Sequence, residues 1–155
     1  MKNAKYEKVL VSGMGSSFGL LYSAIHHIQP DIALVITSDK FRNAVSEACA
    51  KAGFNDMSRI HVFTMSDVFA GFNEAPALLQ QMWPQIKEAE KIIINLTGGT
   101  TAMQWLMQSV YEEAVKQQLP AERVAFVDRR STIEQQQNPW QLGELLEIEK
   151  LRKIS

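Results

Sequence analysis

Two short loops rich in glycine, serine and threonine contain most of the residues whose types and spacing suggest chemistry. The first reads VSGMGSSFG, from Val11 to Gly19, and the second reads NLTGGTTAM, from Asn95 to Met103. Glycines let a backbone turn tightly and approach a ligand closely. The N–H groups at the start of a following helix attract anions, because the helix dipole is positive there. Both loops are therefore suited to binding phosphate.

The hydroxyl side chains of these loops also have a structural explanation. Ser16, Ser17, Thr100 and Thr101 are good N-caps, and for one loop capping alone would be an equally good account. Two such loops, each between a strand and a helix, favour a shared site for an anion with several phosphates. The residues predicted to bind this anion are Gly13, Met14, Gly15, Ser17, Asn95, Thr97, Gly98, Gly99, Thr100, Thr101 and Met103.

A dinucleotide-binding loop is the main alternative for the first motif. GMGSSFG departs from the G-x-G-x-x-G pattern, because its third glycine is displaced by one residue. The acidic residue expected after the second strand could only be Asp39, which helix capping explains equally well. No Walker lysine follows either loop, which disfavours a P-loop NTPase. A nucleotide-cofactor enzyme thus stays open as an alternative, but it leaves the second loop unexplained.

Short apolar strands must position the two loops. Nearly continuous apolar runs are typical of parallel strands that are covered on both faces. Stretches with helical character separate them, and this alternation predicts an α/β fold with a doubly wound, mainly parallel Rossmann-like sheet and helices on both faces. The predicted strands cover residues 8–12, 32–37, 60–64, 91–96 and 123–127, and the predicted helical stretches cover residues 18–28, 41–52, 67–90 and 100–118.

The order of these strands predicts where the loops lie. The loops follow the first and fourth strands, which are neighbours in the common order 3-2-1-4-5. The topology reverses between these two strands, and open α/β sheets bind ligands at the carboxyl ends of strands beside such a reversal. We therefore expect the two loops to lie side by side.

The end of the chain changes character. Residues 131–141 are polar and rich in glutamine, which predicts a loop. Residues 144–154 begin with alternating apolar and acidic residues, which predicts a sixth strand at the edge of the sheet, with a short helix as the alternative. Residues 1–155 are interpreted as a single domain of about six strands.

Composition excludes several classes of protein. The chain has 155 residues, with 16 Lys and Arg against 17 Asp and Glu, a balance that weighs against coating long nucleic acid but not against a small anionic ligand. The single cysteine, Cys49, has no partner for an internal disulfide and is interpreted as a small buried hydrophobe. No apolar run reaches the ~18–20 residues that span a bilayer, so no membrane contact and a cytoplasmic location are expected. No Cys and His cluster has zinc-site spacing, and neither a metal nor a cofactor is predicted.

The second loop resembles a motif of a known family. NLTGGT, followed by Ala102 and Met103, is similar to the NLTGGT-K-x-M motif of CARF domains, the CRISPR-associated Rossmann fold. The first loop resembles the first ligand loop of that family, and the order of strands and helices agrees over most of the chain. The resemblance implies a homodimer whose paired loops bind cyclic oligoadenylate, a ring-shaped RNA second messenger of type III CRISPR immunity.

The family contains both enzymes and sensors. Stand-alone ring nucleases cleave the messenger, whereas other members switch a fused or partner effector. The length of this chain favours a stand-alone ring nuclease, because little beyond the sheet remains for an effector domain. A non-catalytic sensor is the alternative. Cyclic tetra-adenylate is the expected ligand, although a site for the hexa-adenylate ring would have a similar pattern.

The cleavage that the resemblance implies is independent of metal. A ribose 2′-hydroxyl attacks its adjacent phosphate and leaves a 2′,3′-cyclic phosphate. The residues expected to be catalytic are Ser12 and Ser16, which would position the reacting phosphate, and Lys153, which would neutralise charge. The N–H groups from Gly98 to Thr100 would act as anion donors.

One position departs from the family motif. Thr101 stands where CARF domains commonly have lysine, so one charge that neutralises phosphate is missing. Arg129 and Arg130, directly after the fifth predicted strand, and Lys150 are the cations expected to replace it. For Lys150 and Lys153, a solvated and charged terminus is the alternative explanation.

Overall fold

The computed structural model, which describes residues 4–151, confirms the predicted α/β sheet. The strands form one six-stranded sheet in the order β3-β2-β1-β4-β5-β6. The first five pair in parallel, and β6 pairs antiparallel with β5 at the edge. The strands are β1 (Tyr6–Met14), β2 (Ile32–Thr37), β3 (Ile60–Thr64), β4 (Ala89–Asn95), β5 (Ala121–Val127) and β6 (Glu144–Glu147).

Helices connect the strands on both sides of the sheet. The helical stretch predicted for residues 67–90 contains a short 3-10 turn at Gly71–Glu74 and the helix α3, which has Pro84 inside it. None of the helices within residues 4–151 is long and apolar enough to cross a bilayer. The helices are α1 (Gly19–Ile28), α2 (Ala44–Lys51), α3 (Ala75–Ile86), α4 (Thr101–Lys116), α5 (Thr132–Gln137) and α6 (Ile148–Leu151).

Two apolar layers hold the sheet between the helices. One face packs on α3 and α4, through residues such as Val11, Ile94 and Leu106. The other packs on α1 and α2, where Cys49 is buried with the apolar side chains around it. Burial raises the pKa of the Cys49 thiol to about 12, so it behaves as the small hydrophobe that the sequence predicted. The continuous apolar runs exist because both faces of the central strands are covered.

The loop predicted over residues 131–141 is wrong in part, because its first half is helical. Ser131 is the N-cap of α5: its Oγ accepts a hydrogen bond from the N–H of Glu134 at 3.2 Å and donates to the Glu134 carboxylate at 3.0 Å. This S-x-x-E capping box was present in the sequence as STIE. Its Gln-rich continuation, which lacks an apolar period, obscured the helix.

Both alternatives for residues 144–154 occur within the described part. β6 is the predicted edge strand, and it leads directly into α6. Glu149 of α6 accepts hydrogen bonds from the Arg123 N–H at 2.6 Å and from its guanidinium at 2.7 and 2.9 Å. The guanidinium lies over the Tyr111 ring of α4, 3.9 Å from its centroid. The nearly buried Arg123 of β5 therefore contacts both α6 and α4 and holds α6 against the sheet.

We expect the Glu149–Arg123 pair to make the stability of the fold depend on acid. Burial alone would raise the pKa of Glu149, but the hydrogen bonds from Arg123 outweigh burial and hold this pKa below its usual value. A lowered pKa stabilises the fold above the unfolded value of about 4.3, and this contribution is lost as pH falls through the lower folded value. Glu149→Gln should reduce the free energy of unfolding by about 2 kcal/mol at pH 7.

Urea denaturation at pH 7 and pH 3 checks this prediction. The difference in free energy of unfolding between wild type and Glu149→Gln should narrow at pH 3, below the ordinary pKa of a glutamate, because the unfolded wild type binds protons more readily than the folded protein there. Glu122→Gln is the matched control, because Glu122 pairs with Lys91 on the surface at 3.2 Å and is half exposed. An equal loss of stability for both variants would contradict the role given to Glu149.

Candidate functional site

The sheet brings the two glycine-rich loops together as the sequence predicted. β1 and β4 are parallel neighbours, and Ser12 lies opposite Asn95 in the register. β1 ends at Met14 and β4 at Asn95, so both loops leave the same edge of the sheet. We call residues 15–18 loop 1 and residues 96–100 loop 2. Each leads into a helix, α1 and α4 respectively.

The backbones at the two loops are in contact at glycine residues, where a side chain would be crowded. A Cβ on Gly13 would lie 3.2 Å from the carbonyl oxygen of Gly98, and one on Gly15 would lie 3.1 Å from the Cα of Gly99. Gly98 and Gly99 also have positive φ angles of 91° and 79°, which side chains rarely adopt. These glycines therefore set how closely the loops approach each other.

A buried chain of hydrogen bonds lies beneath this contact. The Asn95 side-chain amide donates to Ser12 Oγ at 3.0 Å, and Ser12 Oγ donates to the Gly13 carbonyl at 2.9 Å. Asn95 Oδ1 accepts from the N–H and the hydroxyl of Thr97 at 3.0 and 2.7 Å. Thr97 Oγ1 in turn accepts from the N–H of Phe126 at 3.0 Å. The chain links β1, β4 and β5 where the loops begin.

Three of the predicted site residues belong to this chain. Ser12 and Asn95 are completely buried, and the hydroxyl hydrogens of Ser12 and Thr97 already bind acceptors inside the protein. In this arrangement the three side chains hold the loops in place. The catalytic role predicted for Ser12 stays a prediction, and the geometry supports an effect through loop 1.

Capping explains only part of the loop hydroxyls. Thr100 is the N-cap of α4, and its Oγ1 accepts from the N–H of Met103 at 3.3 Å. The N-cap of α1 is Phe18, which has no side-chain cap, so the capping alternative for Ser16 and Ser17 is wrong. Ser16 is exposed. The hydroxyl hydrogen of Thr100 is not used by its cap, because Oγ1 is there the acceptor.

Backbone donors are also free at this edge. Within residues 4–151, the N–H groups of Ser16, Gly98 and Gly99 donate to no protein acceptor, and the same holds for Thr101 at the start of α4. Such groups normally find water or a ligand. Together with the hydroxyls of Ser16 and Thr100, they form a donor surface suited to anions.

The predicted cations are placed very differently from one another. Arg129 is exposed just after β5 and pairs with Glu144, the first residue of β6, at 3.2 Å. Arg130 is held by Asp128 at 2.8 Å, and its hydrogen bonds lower the pKa of that carboxyl. Lys150 follows β6 toward the amino ends of the parallel strands and pairs with Glu147, so it does not join the loops. Lys153 lies outside the described residues.

The segment between β5 and β6 forms a strap over loop 1 that the sequence did not predict. Ser17 Oγ donates to Gln135 Oε1 of α5 at 3.3 Å. Pro139 lies so close to the start of α1 that a Cβ on Gly19 would be 2.3 Å from its carbonyl oxygen. Arg130 fastens the strap by donating to the Asn138 carbonyl at 2.7 Å. We use "strap" for residues 128–143.

Two cavities of the fold lie away from the loops. A mainly apolar cavity of about 430 Å³ lies between α3 and α4, where Leu79, Trp83 and Glu113 line it. Another of about 590 Å³ lies beside β3, with Arg42 and Phe63 in its wall. Neither of these two cavities is lined by residues of loop 1 or loop 2.

Comparisons with known proteins give a structural neighbour and no sequence relative. No protein-family model matches the chain, and no curated protein matches its sequence. The fold is similar to that of Can2 from Sulfobacillus thermosulfidooxidans, solved in complex with cyclic tetra-adenylate (cA4), with a TM-score of 0.60 and 10% identity. The match covers 78% of this chain and 32% of Can2, so the chain spans about a third of its neighbour.

A second solved structure is less similar. UDP-N-acetylglucosamine 2-epimerase gives a TM-score of 0.46 at 10% identity, over 86% of this chain and 39% of that one. The similarity to Can2 establishes a Rossmann-like α/β fold. It does not assign the site residues.

We expect Asn95→Ala to destabilise the protein and loosen loop 2. The change removes the acceptor of the Thr97 N–H and hydroxyl and the donor to Ser12, all of them buried or partly buried. Buried groups left unpaired cost about 1–3 kcal/mol each, so we expect a loss of about 2–4 kcal/mol in urea denaturation. Hydrogen exchange should accelerate at the N–H groups of Thr97 and Phe126, which this chain of hydrogen bonds protects.

Ser46→Ala provides the comparison for this prediction. The Ser46 hydroxyl donates to the Asn43 carbonyl on the protein surface, so its removal should change stability by less than about 0.5 kcal/mol. If Asn95→Ala is equally mild, the buried chain of hydrogen bonds does not hold the loops.

Proposed function

We propose that the chain binds a cyclic oligoadenylate, with cyclic tetra-adenylate as the expected ring, across loops 1 and 2. The observation that carries the proposal is the pair of facing loops, whose free N–H and hydroxyl donors lie at the carboxyl edge of β1 and β4. The fold similarity to Can2 and the CARF-like NLTGGT motif support the same ligand.

The donor surface can hold phosphates without a broad basic face. The N–H groups of Gly98, Gly99 and Thr101 and the hydroxyls of Ser16 and Thr100 would point to phosphate oxygens. Hydrogen bonds to charged groups contribute about 1.5–3 kcal/mol each, so a few suffice. Arg129 would be the cation that assists, because its surface pair with Glu144 contributes little and can be released.

We propose that the working form is a homodimer. One copy offers one pair of loops, whereas a ring with repeating phosphates would be enclosed by two copies about a twofold axis. The second copy would supply the same loops to the opposite phosphates. Size-exclusion chromatography with light scattering should give twice the 17.5 kDa mass of the chain at micromolar concentration. A monomer both with and without the ring would contradict this arrangement.

We further propose that the bound ring is cleaved without metal. The 2′-oxygen of one ribose forms a bond to its adjacent phosphorus, the bond from phosphorus to the 5′-oxygen breaks, and the 2′-proton is lost as the 5′-oxygen gains one. The products are a 2′,3′-cyclic phosphate and a 5′-hydroxyl. Ser16 would position the phosphate, Lys153 would neutralise charge, and Ser12 would act by fixing loop 1. Such a ring nuclease would end the signal in the cytoplasm.

A sensor without catalysis is the second candidate. It is favoured by the burial of Ser12, whose hydroxyl has no direct access to a ligand. In that case the ring would be held intact and its binding would be passed to a partner or to a longer chain. The donor surface serves both functions equally well.

Radiolabelled cyclic tetra-adenylate incubated with the protein in EDTA separates these functions. We expect linear products ending in 2′,3′-cyclic phosphate, and a slower rate for Ser16→Ala and Lys153→Ala. Tight binding with an intact ring would establish the sensor. If the ring does not bind, both candidates fail. A variant with an unchanged cleavage rate removes that residue from the mechanism.

We expect Thr101→Lys to strengthen ring binding. Thr101 is the exposed first residue of α4, and a lysine there would restore the charge that the family motif commonly has. One charge-assisted contact corresponds to about a tenfold lower Kd, and the gain should shrink in high salt. Gln117→Lys, at the exposed far end of the same helix, adds the same net charge and should leave Kd unchanged. Equal effects of the two variants would indicate nonspecific attraction.

A further inference from the structure

The direction of one hydrogen bond determines which ligand groups Ser17 can bind. Gln135 Nε2 donates to the carbonyl oxygens of Asp128 and Arg130 at 3.2 and 2.9 Å. Turning this amide around would set its oxygen against two acceptors, so its orientation is fixed. Gln135 Oε1 therefore faces Ser17, and the single hydroxyl hydrogen of Ser17 must donate to it.

The strap keeps Gln135 in this position. The Arg130 guanidinium binds the Asp128 carboxylate twice and reaches the Asn138 carbonyl at 2.7 Å. On the other side, the N–H of Gly143 donates to Ser23 Oγ of α1 at 2.9 Å. The sequence predicts that Arg130 binds phosphate. In the structure its guanidinium holds Asp128 and Asn138 of the strap together.

With its hydrogen engaged, Ser17 Oγ presents lone pairs and can only accept. Phosphate oxygens at neutral pH are also acceptors, so Ser17 is unsuited to them. Ser16, its exposed neighbour, has no such restriction. Adjacent serines in loop 1 therefore differ in chemistry: Ser16 can donate to an anion, and Ser17 requires a neutral donor.

We propose that Ser17 accepts a hydrogen bond from a neutral donor of the ligand and thereby contributes to the choice of ligand. Gln135 is a positioning residue, because it fixes the direction of the Ser17 hydroxyl hydrogen. The inference rests on the proposed binding of cyclic oligoadenylate. The neutral donors of that ring are the ribose 2′-hydroxyl and the adenine amino group. Both share the chemistry that Ser17 selects, and analogues that lack one or the other distinguish them.

The test measures Kd for three rings by calorimetry: cyclic tetra-adenylate, its 2′-deoxy analogue, and the analogue with hypoxanthine in place of adenine. We expect wild type to bind one of the two analogues about three- to tenfold more weakly than cyclic tetra-adenylate, the factor of one neutral hydrogen bond. Ser17→Ala should bring the ratio of the Kd of that analogue to the Kd of cyclic tetra-adenylate close to one. The analogue that binds more weakly to wild type identifies the donor. Gln135→Leu should also reduce the ratio, since Ser17 is then free to rotate.

Ser16→Ala is the matched control. It should weaken the binding of all three rings by the same factor and leave the ratios of their Kd values unchanged. The inference is overturned if wild type does not discriminate, or if Ser17→Ala leaves the ratio as it was, whether or not overall affinity falls. In those cases cyclic tetra-adenylate still binds and the proposed function stands. If wild type binds none of the rings, the proposed function fails and the inference fails with it.

Discussion

The candidate site depends on one constraint, the contact between the backbones of two pairs of glycines. Gly13 and Gly15 lie against Gly98 and Gly99 where a Cβ would be crowded, so the carboxyl ends of β1 and β4 can stay adjacent as their loops turn away. A side chain at these positions would press the loops apart or strain a turn. The loops consequently present one donor surface instead of two.

The hydroxyl side chains at and beneath this contact have two different kinds of hydrogen bonding. Ser12, Asn95 and Thr97 bind one another and the backbone, which fixes the loop origins. Ser16 and Thr100 stand above them with hydrogens that can be donated. Hydroxyls of the same type in the sequence therefore differ in whether their hydrogen is engaged inside the protein, and the direction of each hydrogen bond decides this.

The charged side chains predicted to bind the ligand are also paired within the protein. All three of these cations pair with carboxylates: Arg130 with Asp128 in a largely buried pair, and Arg129 and Lys150 with Glu144 and Glu147 on the surface. The donor surface relies mainly on uncharged N–H groups and hydroxyls. This agrees with a chain of net charge −1 that is proposed to bind a compact polyanion.

The sequence by itself determined the strand order, the edge where the loops meet and the glycine and hydroxyl residues there, because these depend on local patterns and on one topological rule. It missed α5, whose capping box lies in a Gln-rich stretch, and it could not place Arg130 or Lys150. Only the tertiary structure decided which hydroxyls are engaged inside the protein. The hydroxyls of Ser12 and Thr97 donate to acceptors close to them in the chain, but only the folded backbone sets these directions. The bonds from Asn95 to Ser12 and from Ser17 to Gln135 join residues 83 and 118 positions apart, so these partners follow from register and packing.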